Sequence, residues 1–285
     1  MKKQMLLIGA GGFLGVRLQK YYNKNITEAL THSQLNIEEI SAVEKAVQQS
    51  NAEVVINCAA ISNTAYAQQN PQQAYAANVL GAANIAKACA RTGKKLVYMS
   101  SDQVYNGCTQ QGPLSEDVPL CPTGVYAQQK LRAEQEIQAL LPQAVGLRLT
   151  WLYDLPQSGM RLNANLLSNL LQASHSKAPL AFATKEYRDI TWVQELVENM
   201  DKITNLSGGI YNIGSTGGGC TYETALFAAE KLKLPTPAQL IIADETRYET
   251  QTRNLLLNTA KAQHQEIVFS TTQAGIVKCI EHYNL

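Results

Sequence analysis

Met5-Leu6-Leu7-Ile8-Gly9-Ala10-Gly11-Gly12-Phe13-Leu14-Gly15 is an apolar run that ends abruptly in glycines. An unbroken apolar run suits a strand covered on both faces, as in a parallel sheet, better than a half-exposed strand of alternating polarity. Leu14, Leu18 and Tyr21 then fall on related turns of a helix. Strand, glycine turn and helix, in that order, are the setting in which glycines at this spacing cradle a pyrophosphate. Gly9 can make the tight turn, Gly12 lets the anion approach the backbone, and Gly15 lets helix and strand pack closely. The helix N-terminus, at Phe13 and Leu14, adds N–H donors and positive potential.

Beyond this stretch, short apolar runs recur at 54–56, 96–99 and 145–149, separated by helical patterns at 74–90 and 125–141. Alternating strands and helices predict βαβ units, and right-handed crossovers stack such units into a doubly wound parallel sheet, an α/β Rossmann fold. Its ligand crevice should lie at the carboxyl ends of the strands. After about residue 150 the pattern is broken by Pro156, Gly159, Pro179, the glycines at 217–219, Pro235 and Pro237. The expected organisation is a dinucleotide-binding domain over 1–150, with a later strand returning near 180–212. A smaller α/β substrate-binding cap would cover 151–180 and 213–285.

At 285 residues with 45% hydrophobic and 16% charged content, the chain can bury a large core without disulfides or metals. A net charge of +1 offers no broad attraction for nucleic acid or membrane, so partners must be recognised locally. The six cysteines form no C-x-x-C pair and have no histidine at metal-ligand spacing, so reduced thiols and no metal are expected. Two lysines precede an apolar run too short for a signal-peptide core or a spanning helix, which leads to an expected cytoplasmic location.

The second strand should end near Leu30, where a dinucleotide fold that takes NAD places Asp or Glu on the adenosine ribose. Here the residues are Thr31, His32 and Ser33, and the nearest acid, Glu28, falls within the strand. No carboxylate is placed to repel a 2′-phosphate, so the cofactor is expected to be NADP or NAD, with NADP favoured.

Tyr126 and Lys130 share a helix face after Pro122. Reduction of a ketone by hydride leaves an alkoxide that needs a proton, and a phenol can give one. A neighbouring ammonium should bring the phenol toward neutrality by favouring the phenolate, and can also hold the cofactor's ribose. With thirteen tyrosines the spacing alone has little weight. Its context is Ser101, at the carboxyl end of the 96–99 strand, where a hydroxyl can hydrogen-bond the reacting carbonyl oxygen.

These segments resemble the extended short-chain dehydrogenase/reductase family, and within it the dTDP-4-dehydrorhamnose reductase group of nucleotide-sugar reductases. The resemblance is carried by LLIGAGGFLG (6–15), SQLNI (33–37), VVINCAA (54–60), YAANVLGAANIAKAC (75–89), YMSSDQVYNG (98–107), YAQQK (126–130), LRLTWLY (147–153) and YRDITWV (187–193). The resemblance implies that Ser101, Tyr126 and Lys130 are the catalytic residues. It also implies that Asn36 and Ile37 lie at the adenine, that Cys58, Ala59 and Ala60 run along the cofactor, and that Asn78 braces the site. Trp151 and Arg188 resemble residues that face the sugar nucleotide. Asn36 stands where the group generally has Asp, and Asp154 where a glycine often follows the tyrosine, so the adenine contacts and the pocket floor should differ.

Enzymes of this resemblance divide among reduction, epimerisation and dehydration. A related dehydratase carries Asp-Glu after its catalytic hydroxyl, whereas here the pair is Asp102-Gln103. An amide cannot deprotonate carbon at neutral pH, so dehydration loses ground. The expected activity is NAD(P)H-dependent reduction of a keto group on a nucleotide-linked sugar. The alternatives are an epimerase on the same fold and a cofactor-binding regulatory subunit without turnover. The expected partner is a small molecule, with no nucleic acid and no membrane, and a homodimer is left open.

Overall fold

The computed structural model describes residues 3–285. In chain order the elements begin β1 (Met5–Ile8), α1 (Phe13–Tyr21), β2 (Ile26–Leu30), α2 (Ile40–Gln49), β3 (Val54–Asn57), α3 (Thr64–Gln69), α4 (Pro71–Tyr75), α5 (Ala82–Thr92) and β4 (Lys95–Ser101). They continue through α6 (Val125–Leu140), β5 (Val145–Leu149), β6 (Trp151–Tyr153), α7 (Leu166–Ser176), β7 (Leu180–Ala183), β8 (Glu186–Arg188), β9 (Ile190–Trp192), α8 (Val193–Ile203) and β10 (Gly209–Ile213). The last are α9 (Thr221–Lys231), α10 (Pro237–Leu240), β11 (Ile241–Asp244), β12 (Arg253–Leu255), α11 (Ala260–Gln263) and α12 (Thr272–His282).

The six-stranded sheet has the order β10-β5-β4-β3-β1-β2, and β1 pairs in parallel with both β2 and β3, as β3 does with β4. This is the doubly wound α/β fold. Every residue of β1, β3 and β5 is buried, which is why β1 and the first three residues of β3 read as unbroken apolar runs, while β5 carries the buried Arg148. Winding reverses between β1 and β3, because β2 lies on one side of β1 and all later strands of the sheet on the other. The carboxyl ends of β1 and β3 therefore flank the point where such folds take ligands.

The chain forms two compact units. The first comprises the residues up to Val104, Pro122–Arg148 and Val197–Tyr211, and the second comprises Tyr105–Cys121, Leu149–Leu196 and Asn212–Leu285. Each has its own core. In the first, Leu6, Ile8, Val43, Val47, Val55, Ile85 and Ile137 pack between sheet and helices. In the second, Tyr153, Leu170, Ile190, Trp192, Ala225 and Ile276 do the same around smaller parallel strand pairs. Each fully buried Leu or Ile contributes about 1.5–3 kcal/mol. Residues 105–121, read above with the first domain, cluster with the second unit. Leu114 is the reason: its N–H donates to Leu256 O and its own carbonyl accepts from Asn258 N–H.

Candidate active site

Gly9, at φ +85°, accepts a backbone conformation that side chains rarely adopt, and a Cβ there would lie 2.5 Å from Ala59 N. A Cβ on Gly15 would lie 2.3 Å from Gly9 O, so the helix meets the strand end only because this residue has none. Gly12 is the N-cap of α1 and contributes no side-chain cap, and the first turn holds no acid. The first N–H groups of α1, from Phe13 and Leu14 onward, thus keep the electropositive end that a pyrophosphate needs. The loop is a backbone cradle that fits a dinucleotide.

Around it lie most of the residues expected to line such a ligand. Gly9 and Ala10 N–H both donate to Leu30 O, which brings the end of β2 to the loop, and Thr31 Cγ2 is 3.5 Å from the position of a Cβ on Gly11. Thr31 is held by Gln34, and His32 and Ser33 are exposed. Cys58 donates its N–H to Ile8 O, and Ala59 and Ala60 follow it. Asn36 closes a local turn, accepting Glu38 N–H and donating to Glu39. Ile37, next to it, has its side chain buried in the core of the first unit, facing Gly81.

Ser101, Tyr126 and Lys130 meet in the first unit. Ser101 Oγ donates to Asp102 Oδ1 at 3.1 Å and accepts Gln103 N–H at 3.2 Å. It also hydrogen-bonds the Tyr126 hydroxyl, a contact that favours the phenolate form. Lys130 Nζ, buried, donates to Met99 O at 2.8 Å and stands 5.7 Å from the Tyr126 ring centroid.

The electrostatics correct one expectation. The Tyr126 phenol is not brought toward neutrality in this structure. Burial pushes its pKa up, the Ser101 hydrogen bond opposes that, and Asp102 adds to the rise. The ammonium donates to the Met99 carbonyl, and it is not among the causes acting on the phenol. Lys130 itself is pushed down to about 8 by burial, with Glu134 and then Cys58 opposing. The resting pair is a neutral phenol beside a cation held in a dry site.

Asn78 ties the surrounding elements together. Its side chain accepts Ile61 N–H at 2.8 Å and donates to Ile61 O and to Gln129 Oε1, both at 3.1 Å. It sits in a π-helical turn, Ala76–Gly81, between α4 and α5, a distortion that recurs at functional sites. Gln129, Glu134, Arg148 and Ser100 were not singled out from the sequence. Two signals pointed to them: Glu134 is one turn beyond Lys130, and Arg148 is a lone charge inside a fully buried strand.

In the second unit Trp151 and Arg188 come together, with the guanidinium 5.1 Å from the indole centroid and both side chains partly exposed. Asp154 is buried and accepts Leu155 N–H, Gln157 Nε2, Trp192 Nε1 and Tyr283 Oη at 3.0–3.1 Å.

Residues 2–285 match the RmlD substrate binding domain family. A dTDP-4-dehydrorhamnose reductase of Mycobacterium tuberculosis (strain CDC 1551 / Oshkosh) is 36% identical over 156 residues, 53% of this chain and 51% of that protein. The match thus spans about half the length of that relative. The spore coat polysaccharide biosynthesis protein SpsK of Bacillus subtilis (strain 168) is 28% identical over 85% of this chain and 84% of its own. Among solved structures, the dTDP-4-dehydrorhamnose reductase of Bacillus anthracis str. Ames in complex with NADP superposes with a TM-score of 0.87 at 22% identity, covering 99% of this chain and 100% of that one. At that identity the likeness is one of fold.

Proposed function

The chain belongs to the RmlD substrate binding domain family, and on that premise we propose that it is an NAD(P)H-dependent reductase of a keto group on a nucleotide-linked sugar. The observation that carries this reading is the meeting of Ser101, Tyr126 and Lys130 at the end of β4, in the same unit as the glycine cradle. The bound nicotinamide supplies the hydride. Ser101 and Tyr126 hold the carbonyl oxygen, and Tyr126 gives that oxygen its proton as negative charge develops there. A phenol whose pKa is raised keeps its proton until needed, and an alkoxide is basic enough to take it. Lys130 offsets the charge left on the phenolate and offers a donor to the ribose.

Several finer assignments belong to the same proposal. NADP is the favoured cofactor, because residues 31–37 contain no carboxylate and His32 and Ser33 are exposed beside the loop. Trp151 and Arg188 recognise the sugar nucleotide, the indole by stacking and the guanidinium by charge. The working compartment is the cytoplasm. No helix among the described residues is long and apolar enough to cross a membrane.

The test is thermal unfolding with NADP, NAD and a panel of dTDP-, UDP- and GDP-sugars. A ligand at a hundredfold its Kd stabilises the folded state by about 2.7 kcal/mol. A rise with NADP and with one nucleotide class, dTDP foremost, is expected. A response to NADP and to no sugar nucleotide would redirect the reading toward another small carbonyl compound.

A further inference from the structure

Glu134 and Arg148 take no part in the reaction proposed above, yet they form a buried ion pair beside it. They are 3% and 4% exposed, with Arg148 Nε 3.1 Å from Glu134 Oε1 and Nη2 2.7 Å from Oε2. Ser100 Oγ donates to the same carboxylate, while Lys130, one turn earlier on α6, donates to Met99 O. Met99, Ser100 and Ser101 are consecutive at the end of β4. Helix α6 is therefore tied to this strand at two adjacent residues, immediately before the Ser101 hydroxyl, and to β5 through Arg148. Stability alone does not call for such a pair, because well-packed apolar residues of like volume generally serve as well or better.

We propose that Glu134, clamped by Arg148 and Ser100, is a positioning residue that fixes α6 on the end of β4 and keeps Lys130 cationic there. Its consequence for turnover rests on the reductase reading, whereas the clamp itself does not. The groups facing Lys130 are Glu134 and Tyr126 on its own helix, Met99 O on β4 and Cys58 after β3, with Asp102 beyond the tyrosine. Burial drives the ammonium down to about 8, and Glu134 is the first of the groups that resist. Cys58, the second and weaker of them, is itself pushed up to about 12 by burial and is a neutral thiol at physiological pH. Glu134 is thus the group left to hold the proton on Lys130.

The experiment is a pH titration of the cofactor-free protein carrying isotope-labelled lysine, followed by NMR, with the Lys130 signal identified by its loss in Lys130→Met. Glu134→Gln is expected to lower the Lys130 midpoint by about one pH unit. Arg148→Met, which leaves the carboxylate in place, should hold the midpoint at or above the parent value. If the single variants do not fold, Glu134→Leu combined with Arg148→Met keeps the volume and should still lower it. With NADPH and a keto-sugar nucleotide, the alkaline limb of kcat moves down in parallel while KM for the sugar stays within about twofold. A merely structural pair leaves Lys130 where it was. A midpoint within about 0.2 unit of the parent in the variants lacking Glu134, or a fall in Arg148→Met, overturns the proposal. Failure of the parent to turn over any keto-sugar nucleotide sinks the reductase reading and leaves the titration to decide on the clamp.

Discussion

Two buried carboxylates, one in each unit, are put to different uses. Glu134 in the first unit faces Arg148 and a lysine whose charge it supports. Asp154 in the second accepts from Leu155, Gln157, Trp192 and Tyr283, and through the last it stitches the C-terminal end of the chain to β6 and β9. A carboxylate satisfied by neutral N–H and O–H donors orders the chain, whereas one set among cations fixes the protonation of a neighbour. The contrast shows that burial of an acid does not identify chemistry. Its partners do.

The comparison can be broken by mutation. The largest effect is expected from Asp154→Ala, which takes the acceptor from Leu155 N–H and Trp192 Nε1 in the buried interior and from the partly buried Gln157 and Tyr283, and should lower unfolding stability by about 3–5 kcal/mol. Denaturant midpoints would measure it, and a loss under about 1 kcal/mol would mean that Asp154 is not a structural hub. Lys130→Met should act in the opposite direction. The folded pKa of Lys130, about 8, is below its ordinary value of 10.5, so the folded protein holds fewer protons than the unfolded chain between those values. Parent stability therefore rises with pH across that window, and at neutral pH the buried ammonium is a burden. Allowing for the lost bond to Met99 O, Lys130→Met should gain about 2 kcal/mol near pH 7 and lose that advantage toward pH 10.5. A gain that grows with pH would contradict the assignment.

How much of this was legible in sequence follows from how local each feature is. The glycine loop could be read because Gly15 answers to the backbone of Gly9 and Ala10 a few residues away, and Gly9 to its own positive φ, although the strand that crowds Gly9 at Cys58 and Ala59 is distant in sequence. The strands β1 and β3 could be read because full burial leaves a continuous apolar run, and β5 could be read despite the single charge of Arg148 within it. The side-chain direction of Ile37 could not be read, since it depends on Gly81 opening a space on a helix far along the chain. The same holds for Asp154, whose partners Trp192 and Tyr283 come from distant elements. The state of the phenol could not be read for a related reason: helical spacing puts Lys130 on the face of Tyr126, but burial of the hydroxyl, set by distant packing, outweighs any neighbour.

Smaller effects sharpen the picture of the cradle. Gly15→Ala places a methyl 2.3 Å from Gly9 O and should weaken NADP binding by about tenfold or more, read by fluorescence titration. Gly93→Ala is its control. That residue has φ +68° and open space around it, so the variant should cost about 1 kcal/mol of stability and leave cofactor affinity unchanged. The smallest effect is expected from exposed His32→Ala, which should weaken NADPH by about two- to fivefold and leave NADH alone, because a solvated contact to a 2′-phosphate is screened. Equal losses for both cofactors would remove His32 from cofactor selection.

The proton donated by Tyr126 is the central claim, and Tyr126→Phe tests it most directly. Oxidation of NADPH by a dTDP-linked 4-keto sugar, followed by loss of the reduced nicotinamide's absorbance, should fall by about a hundredfold or more in the variant, with NADPH affinity within about twofold of the parent. Turnover by Tyr126→Phe at a rate close to that of the parent would contradict the account.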